Sequence, residues 1–130
     1  MITNLNFVTI VVTDQDTALD FWTNKLGFEK RTDYHFPGLA RFVTVAPKDQ
    51  VSPEMVLVLQ DASTIQKPAS GHTGFIFRTD DCRGDYAALQ ARGVNFTAEP
   101  TDMPFGIQAI FSDPDGNLFY LAEPRVRRGS

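Results

Sequence analysis

The stretch LNFVTIVVTDQDTALDFWTNKLGFE, from Leu5 to Glu29, opens the first of two similar halves of the chain. Its first nine residues are rich in Val, Ile, Thr and Phe, which predicts a half-buried strand over Leu5 to Thr13. A polar residue, Asp14, Asp16 or Thr17, can then cap a helix. The apolar residues of that helix recur at three- and four-residue spacing, at Ala18, Phe21, Trp22 and Leu26.

Gly27 predicts the end of this helix, because glycine accepts the left-handed conformation of a helix C-terminus. Three further runs have strand composition and are separated by turn or loop residues. They are Phe28 to Thr32, Leu39 to Ala46, and Met55 to Gln60.

The second half repeats this order in the stretch GFIFRTDDCRGDYAALQARGVNFT, from Gly74 to Thr97. A strand, an acidic stop, a helix and a glycine follow one another, and the spacing from Asp81 to Gly93 is within one residue of that from Asp14 to Gly27. Such a repeat is a stronger fold signal than any single element. The predicted strands are Gly74 to Thr79, Val94 to Thr97, Ile107 to Ser112, and Leu118 to Ala122. We therefore expect one domain over 1–130, with module one at 1–62, a linker at 63–71, module two at 72–124 and a tail at 125–130.

The amino-acid composition of the chain argues against membrane and nucleic-acid functions. The chain has 130 residues, 42% hydrophobic and 22% charged, and no apolar run approaches the roughly 20 residues of a membrane span. Its opening has no signal-peptide pattern, which predicts a cytoplasmic protein without membrane partners. A net charge of −4 argues against a nucleic-acid surface. The single cysteine, Cys82, has no second cysteine for a disulfide or a zinc site.

Four segments together resemble the signatures of a known superfamily in order and spacing. They are Leu5 to Glu29, Gly93 to Phe96, Pro104 to Gly106, and Asp113 to Asn117. The chain resembles the vicinal oxygen chelate superfamily of glyoxalases, bleomycin resistance proteins and extradiol dioxygenases. The resemblance implies an α+β fold in which two βαβββ modules pair into a curved mixed sheet around a cavity. It also implies a homodimer.

Enzymes of that superfamily hold one divalent ion with His and Glu or Gln from the first and last strands of both modules. Here the resemblance puts Phe7, Val58, Gly74 and Tyr120 at those positions, with Thr73 as the alternative to Gly74. Gln60 lies two residues after Val58, and with His72 it makes a fragment of only two donors. We therefore expect no cofactor, and a divalent metal only if the protein is an enzyme with atypical ligands.

Alternation along the strands and the resemblance together predict the residues that face the cavity. Phe7 and Tyr120 are expected to meet across its concave face, and the loop that could close over it carries Phe105 and Gln108. Arg41 is a candidate because an arginine in an apolar strand needs an anionic partner, a ligand or solvent. The predicted ligand-binding set is Phe7, Thr9, Arg41, Val58, Gln60, His72, Gly74, Phe105, Gln108 and Tyr120. This wall suits a small flat organic molecule better than chelation.

Three hypotheses of function remain open at this point. The first is a metal-free binder of a small molecule, similar to bleomycin resistance proteins. The second is a metal-dependent lyase, isomerase or dioxygenase of the glyoxalase type with atypical ligands. The third is a metal-free enzyme that uses a carboxylate or Tyr120 as acid or base. Phe7, Gly74 and Tyr120 weigh against the second hypothesis but do not separate the first from the third.

Overall fold

The computed structural model describes residues 1–60 and 65–125, and within it the chain divides into two compact units, Met1–Pro68 and Ala69–Ser130. Residues 61–64 and 126–130 lie outside the described part, and so do the start of the expected linker and most of the expected tail. Among the described residues, no helix is long and apolar enough to cross a membrane.

The first unit is a four-stranded sheet with one short helix. Its sheet order is β1-β4-β3-β2, in which β1 runs parallel to β4 and the other neighbours are antiparallel. Asp14 caps α1 by accepting hydrogen bonds from the amides of Asp16 and Thr17. The elements are β1 (Phe7–Val12), α1 (Gln15–Asp20), a π-helical segment (Phe21–Lys25), β2 (Glu29–Tyr34), β3 (Phe42–Ala46) and β4 (Glu54–Leu59).

The core of the first unit lies mainly on the face of this sheet that carries Ile10, Val12 and Leu57. In β1, Phe7 is exposed, but Val11 on its face is buried like Ile10 and Val12, so burial increases along the strand instead of alternating strictly. Trp22 is completely buried and packs against Phe21 and Phe28, with ring centroids 5.2 and 5.1 Å away. The opposite face of the sheet is therefore the more exposed one.

The second unit has the same element order. Its sheet order is β5-β8-β7-β6, with β5 parallel to β8. Asp81 caps α2 by accepting a hydrogen bond from the Gly84 amide, which confirms the predicted role of this acidic stop. The elements are β5 (His72–Arg78), α2 (Cys82–Ala91), β6 (Asn95–Met103), β7 (Gly106–Ser112) and β8 (Leu118–Pro124).

Aromatic rings fill the core of the second unit. Phe111 and Phe119 are fully buried, with ring centroids 5.5 Å apart, and Phe77 and Phe96 pack against them. Cys82 is also buried, and burial raises the pKa of its thiol. A buried, protonated thiol is unreactive, so Cys82 acts as a small core residue.

Two strand boundaries differ from the sequence-based expectation by three residues or more. β3 begins at Phe42 rather than Leu39, because the Leu39 amide closes a turn onto the Phe36 carbonyl. β6 continues to Met103 instead of ending at Thr97, and irregular pairing between Ala98 and Thr101 accommodates a proline in the strand.

The connection between β7 and β8 is a five-residue loop, Asp113 to Asn117. The buried Asp113 carboxylate accepts hydrogen bonds from the amides of Asp115 and Asn117 and from the Asn117 side chain. Burial raises the pKa of Asp113, while the bonds from Asn117 oppose that shift.

Candidate functional site

Phe7 marks the more exposed face of the first sheet. Its side chain keeps 44% of its surface exposed and meets the Phe42 ring edge to face, with centroids 5.5 Å apart. Thr9 follows two residues later and is half-buried on the same face. This face therefore presents an aromatic pair with a hydroxyl beside it.

Glu54 adds a carboxylate to the same face. It pairs with Phe7 in the parallel register of β1 and β4, so the two side chains are neighbours. The hydroxyl of the buried Thr44 donates a hydrogen bond to Glu54 Oε1 over 2.6 Å. Glu54 is absent from the predicted ligand-binding set because the predicted strand begins at Met55, whereas β4 begins at Glu54. Extending the strand by one residue puts Glu54 four positions before Val58, on the same face.

Val58 and Gln60 lie at the other end of β4. Val58 is half-buried and pairs with Val11, while Gln60 is exposed just beyond the last strand residue, Leu59. Val58 offers no donor atom, so at this end only Gln60 could contribute a polar contact.

Arg41 is engaged within the first unit. Its guanidinium makes a two-pronged contact with Asp33, with Nε and Nη2 each 2.8 Å from a carboxylate oxygen, and Nη1 lies 2.7 Å from Asp16 in α1. The hydrogen bonds from Arg41 lower the pKa of Asp33 to about 2, although desolvation acts in the opposite direction. The anionic partner expected for Arg41 is therefore a pair of aspartates in its own unit, which ties β2 to α1.

In the second unit, His72 and Tyr120 form an aromatic pair. Their rings stack at a centroid distance of 6.0 Å and an interplanar angle of 21°. Ile76 pairs with Tyr120 in the register of β5 and β8 and is largely exposed. The exposed face of this sheet thus carries aromatic and apolar side chains, as the first sheet does.

Gly74 lies between His72 and Ile76 at an irregularity of β5. His72 and Ile76 are four positions apart on β5, whereas their partners Leu118 and Tyr120 are only two positions apart on β8. Gly74 has φ of +79°, and a Cβ added there would meet nothing within 4 Å. Glycine is therefore favoured here by the backbone conformation, because a residue with a left-handed φ accommodates the extra residues of β5.

The two expected loop residues lie in different elements. Phe105 is exposed in the turn between β6 and β7, as predicted. Gln108 is not in the loop: it lies within β7, half-buried, and pairs with Ala122 of β8. The placement of Gln108 on a closing loop is wrong, because β7 begins directly at Gly106.

The donors present do not fit the divalent site of the superfamily's enzymes. Of the four positions that the resemblance equates with ligands, Phe7, Val58 and Gly74 carry no donor atom, and Tyr120 carries only a phenol. In the described part of the chain, no three His, Cys, Asp or Glu side chains cluster as a metal site would require.

One small cavity occurs elsewhere in the second unit. It has a volume of about 160 Å³, below the roughly 300 Å³ at which ligand pockets begin. None of the expected site residues lines it; the lining is Asp102, Gly106, Ile107, Glu123, Pro124 and Arg125.

Comparison with known proteins agrees with this architecture. The family model of the Glyoxalase/Bleomycin resistance protein/Dioxygenase superfamily matches residues 4–121. The uncharacterized protein YetH of Bacillus subtilis is 33% identical over 95% of this chain and 100% of its own length. A superfamily member of known structure from Sphaerobacter thermophilus is 43% identical, with a TM-score of 0.85 over 94% of this chain and 98% of that one. TnmS3, an antibiotic binding protein from Streptomyces sp. CB03234, is 38% identical, with a TM-score of 0.80 over 95% and 98% of the two chains. By sequence and by fold, the chain belongs to the glyoxalase/bleomycin resistance protein/dioxygenase superfamily.

Proposed function

We propose that the protein binds a small, flat organic molecule without a metal ion and without transforming it. The observation that carries the proposal is the exposed aromatic face of the first sheet, where Phe7 stands at a position that holds a metal ligand in the superfamily's enzymes. Phe42 meets Phe7 edge to face, and the exposed Phe7 ring offers an apolar surface on which a flat ligand can stack. Aromatic stacking contributes roughly 0.5–1.5 kcal/mol beyond area burial.

Two further observations support this proposal. The exposed face of the second sheet carries the stacked His72–Tyr120 pair, a surface of the same aromatic kind. TnmS3, which is similar to this chain over nearly its full length, is an antibiotic binding protein. Antibiotics and other flat natural products are therefore the class of ligand that we propose.

The proposal keeps four polar residues of the predicted ligand-binding set and omits one. Thr9, Gln60, His72 and Gln108 remain proposed hydrogen-bonding contacts, whereas Arg41 is omitted because two aspartates already neutralise it. We further propose that the protein is cytoplasmic, and that it forms a homodimer as the resemblance implies. Sedimentation equilibrium that found only the mass of one chain at micromolar concentration would reject the dimer.

Phe7→Ala tests the aromatic face directly. The probes are proflavine, a fluorescent flat cation, and phenazine, a flat neutral compound, each titrated with the protein by fluorescence or calorimetry. We expect Phe7→Ala to weaken the binding of both probes about five- to thirtyfold, because the stacking surface and its buried area are lost.

Phe36→Ala is the matched control, since Phe36 is an exposed aromatic residue of the same unit that lies in the loop after β2. The control should leave both affinities within about twofold of the original. Equal affinities for Phe7→Ala and the unmodified protein would contradict the proposed surface.

A further inference from the structure

Glu54 is distinguished by its position in the sheet, its partial burial and its neighbours. It begins β4, which lies between β1 and β3 in the sheet, so its side chain is flanked by strands on both sides. It is half-buried, and its neighbours across the sheet are Phe7 and Thr44. A carboxylate in such a place has lost part of its hydration and needs partners that replace it.

Only one of those partners is present in the described part of the chain. Thr44, which has no exposed surface, donates its hydroxyl proton to Oε1 of Glu54. Among residues 1–60 and 65–125, no Lys, Arg or His nitrogen lies within ion-pair distance of the carboxylate. Thr44 thus fixes the carboxylate and leaves its remaining acceptor positions available.

The aromatic rings next to Glu54 favour a positively charged ligand, as the carboxylate does. A cation near Phe7 or Phe42 is attracted by the negative faces of the rings, and a cation or N–H group beside Glu54 forms a charge-assisted hydrogen bond. Both interactions select positive charge, and neither favours an anionic ligand.

We propose that Glu54 is the specificity-determining residue of this face, with Thr44 as its positioning residue, and that the face selects flat aromatic ligands that carry an ammonium, amidinium or other cationic N–H group. The inference rests on the proposed function. In the complex, the ligand ring packs on Phe7 and its N–H group donates to the Glu54 carboxylate.

The test compares proflavine with phenazine in titrations of Glu54→Gln. Glutamine keeps the size of the side chain and can still accept from Thr44, so the fold should persist, which circular dichroism checks. We expect proflavine to bind at least about tenfold more weakly, because a hydrogen bond to a charged group is lost, while phenazine changes less than about twofold. Asp49→Asn is the matched control: it removes the same charge from an exposed loop residue of the same unit and should change neither affinity.

Three more variants test the roles of Glu54 and Thr44 separately. Glu54→Lys should abolish proflavine binding and raise the affinity for anthracene carboxylate, a flat anion, relative to the unmodified protein. Thr44→Val should lower the preference for proflavine over phenazine several-fold, and Thr44→Ser, which restores the hydroxyl, should recover it. A purely structural role of Thr44 would lower both affinities together and leave that preference unchanged.

The outcomes separate the inference from the function on which it rests. If the protein binds proflavine and phenazine but Glu54→Gln affects both equally or neither, the role of Glu54 is wrong and the binding function stands. If the unmodified protein binds none of the three flat probes, the proposed function fails and the inference fails with it.

Discussion

Arg41 and Asp33 form the most strongly coupled ionic contact at the scale of single residues. The side chains retain only 14% and 22% of their exposure, and the two-pronged geometry is the strongest that an arginine and a carboxylate can make. The lowered pKa of Asp33 reports that coupling. The contact joins β2 to the residue before β3, and Asp16 adds α1, so it ties three parts of the first unit together.

Asp33→Asn should therefore destabilise the protein in a pH-dependent way. The pKa of Asp33 is about 2 in the folded state against 3.8 ordinarily, so its contribution is complete above that ordinary value and is lost as the pH falls toward about 2. After discounting for solvent screening, we expect a loss of about 1–2 kcal/mol in the free energy of unfolding at neutral pH. Urea unfolding at neutral and acid pH measures it.

Asp80→Asn provides the comparison for this prediction. Asp80 lies 3.8 Å from Arg78, and both side chains are largely exposed, so its removal should have little effect at any pH. An Asp33→Asn deficit that stayed constant between neutral pH and about pH 2 would contradict the ionic account.

At the scale of elements, the irregularity of β5 is the feature with the clearest energetic consequence. Gly74 adopts a left-handed conformation in open space, so any cost of a side chain there comes from the backbone and not from a clash. Gly74→Ala should reduce the free energy of unfolding by about 1–2 kcal/mol, and Gly74→Asn by less, because asparagine tolerates this conformation. Urea unfolding of the two variants measures both effects, and an alanine variant as stable as the original would show that β5 runs without the left-handed residue.

These elements also show which structural features can be predicted from the sequence. The existence of β1 and the caps at Asp14 and Asp81 were predictable because strand composition and capping chemistry act over a few residues. The ion pairs of Arg41 were not, since Asp16 and Asp33 come near it only through the tertiary fold. The backbone role of Gly74 was not predictable, because a register shift between β5 and β8 has no signature in the residues of one strand alone.

At the scale of the whole molecule, repetition of one plan predicts similar surfaces in both units. Each unit is a four-stranded sheet whose buried face packs aromatic residues, with Trp22 in the first and Phe111 and Phe119 in the second. Each keeps an aromatic pair on its more exposed face, Phe7 with Phe42 and His72 with Tyr120. Phe7 and Tyr120 stand where the resemblance puts metal donors of the superfamily's enzymes, and we propose that they stack on a ligand instead.

The most direct test of the central claim, binding without metal, is the dissociation constant of proflavine for protein dialysed against EDTA, compared with the same protein supplied with excess Zn²⁺, Mn²⁺ or Ni²⁺. The account predicts the same constant within about twofold in every case, because aromatic stacking and the Glu54 carboxylate need no ion. Loss of binding after dialysis that is recovered when one of these ions is restored would contradict it and favour a metal-dependent enzyme with atypical ligands.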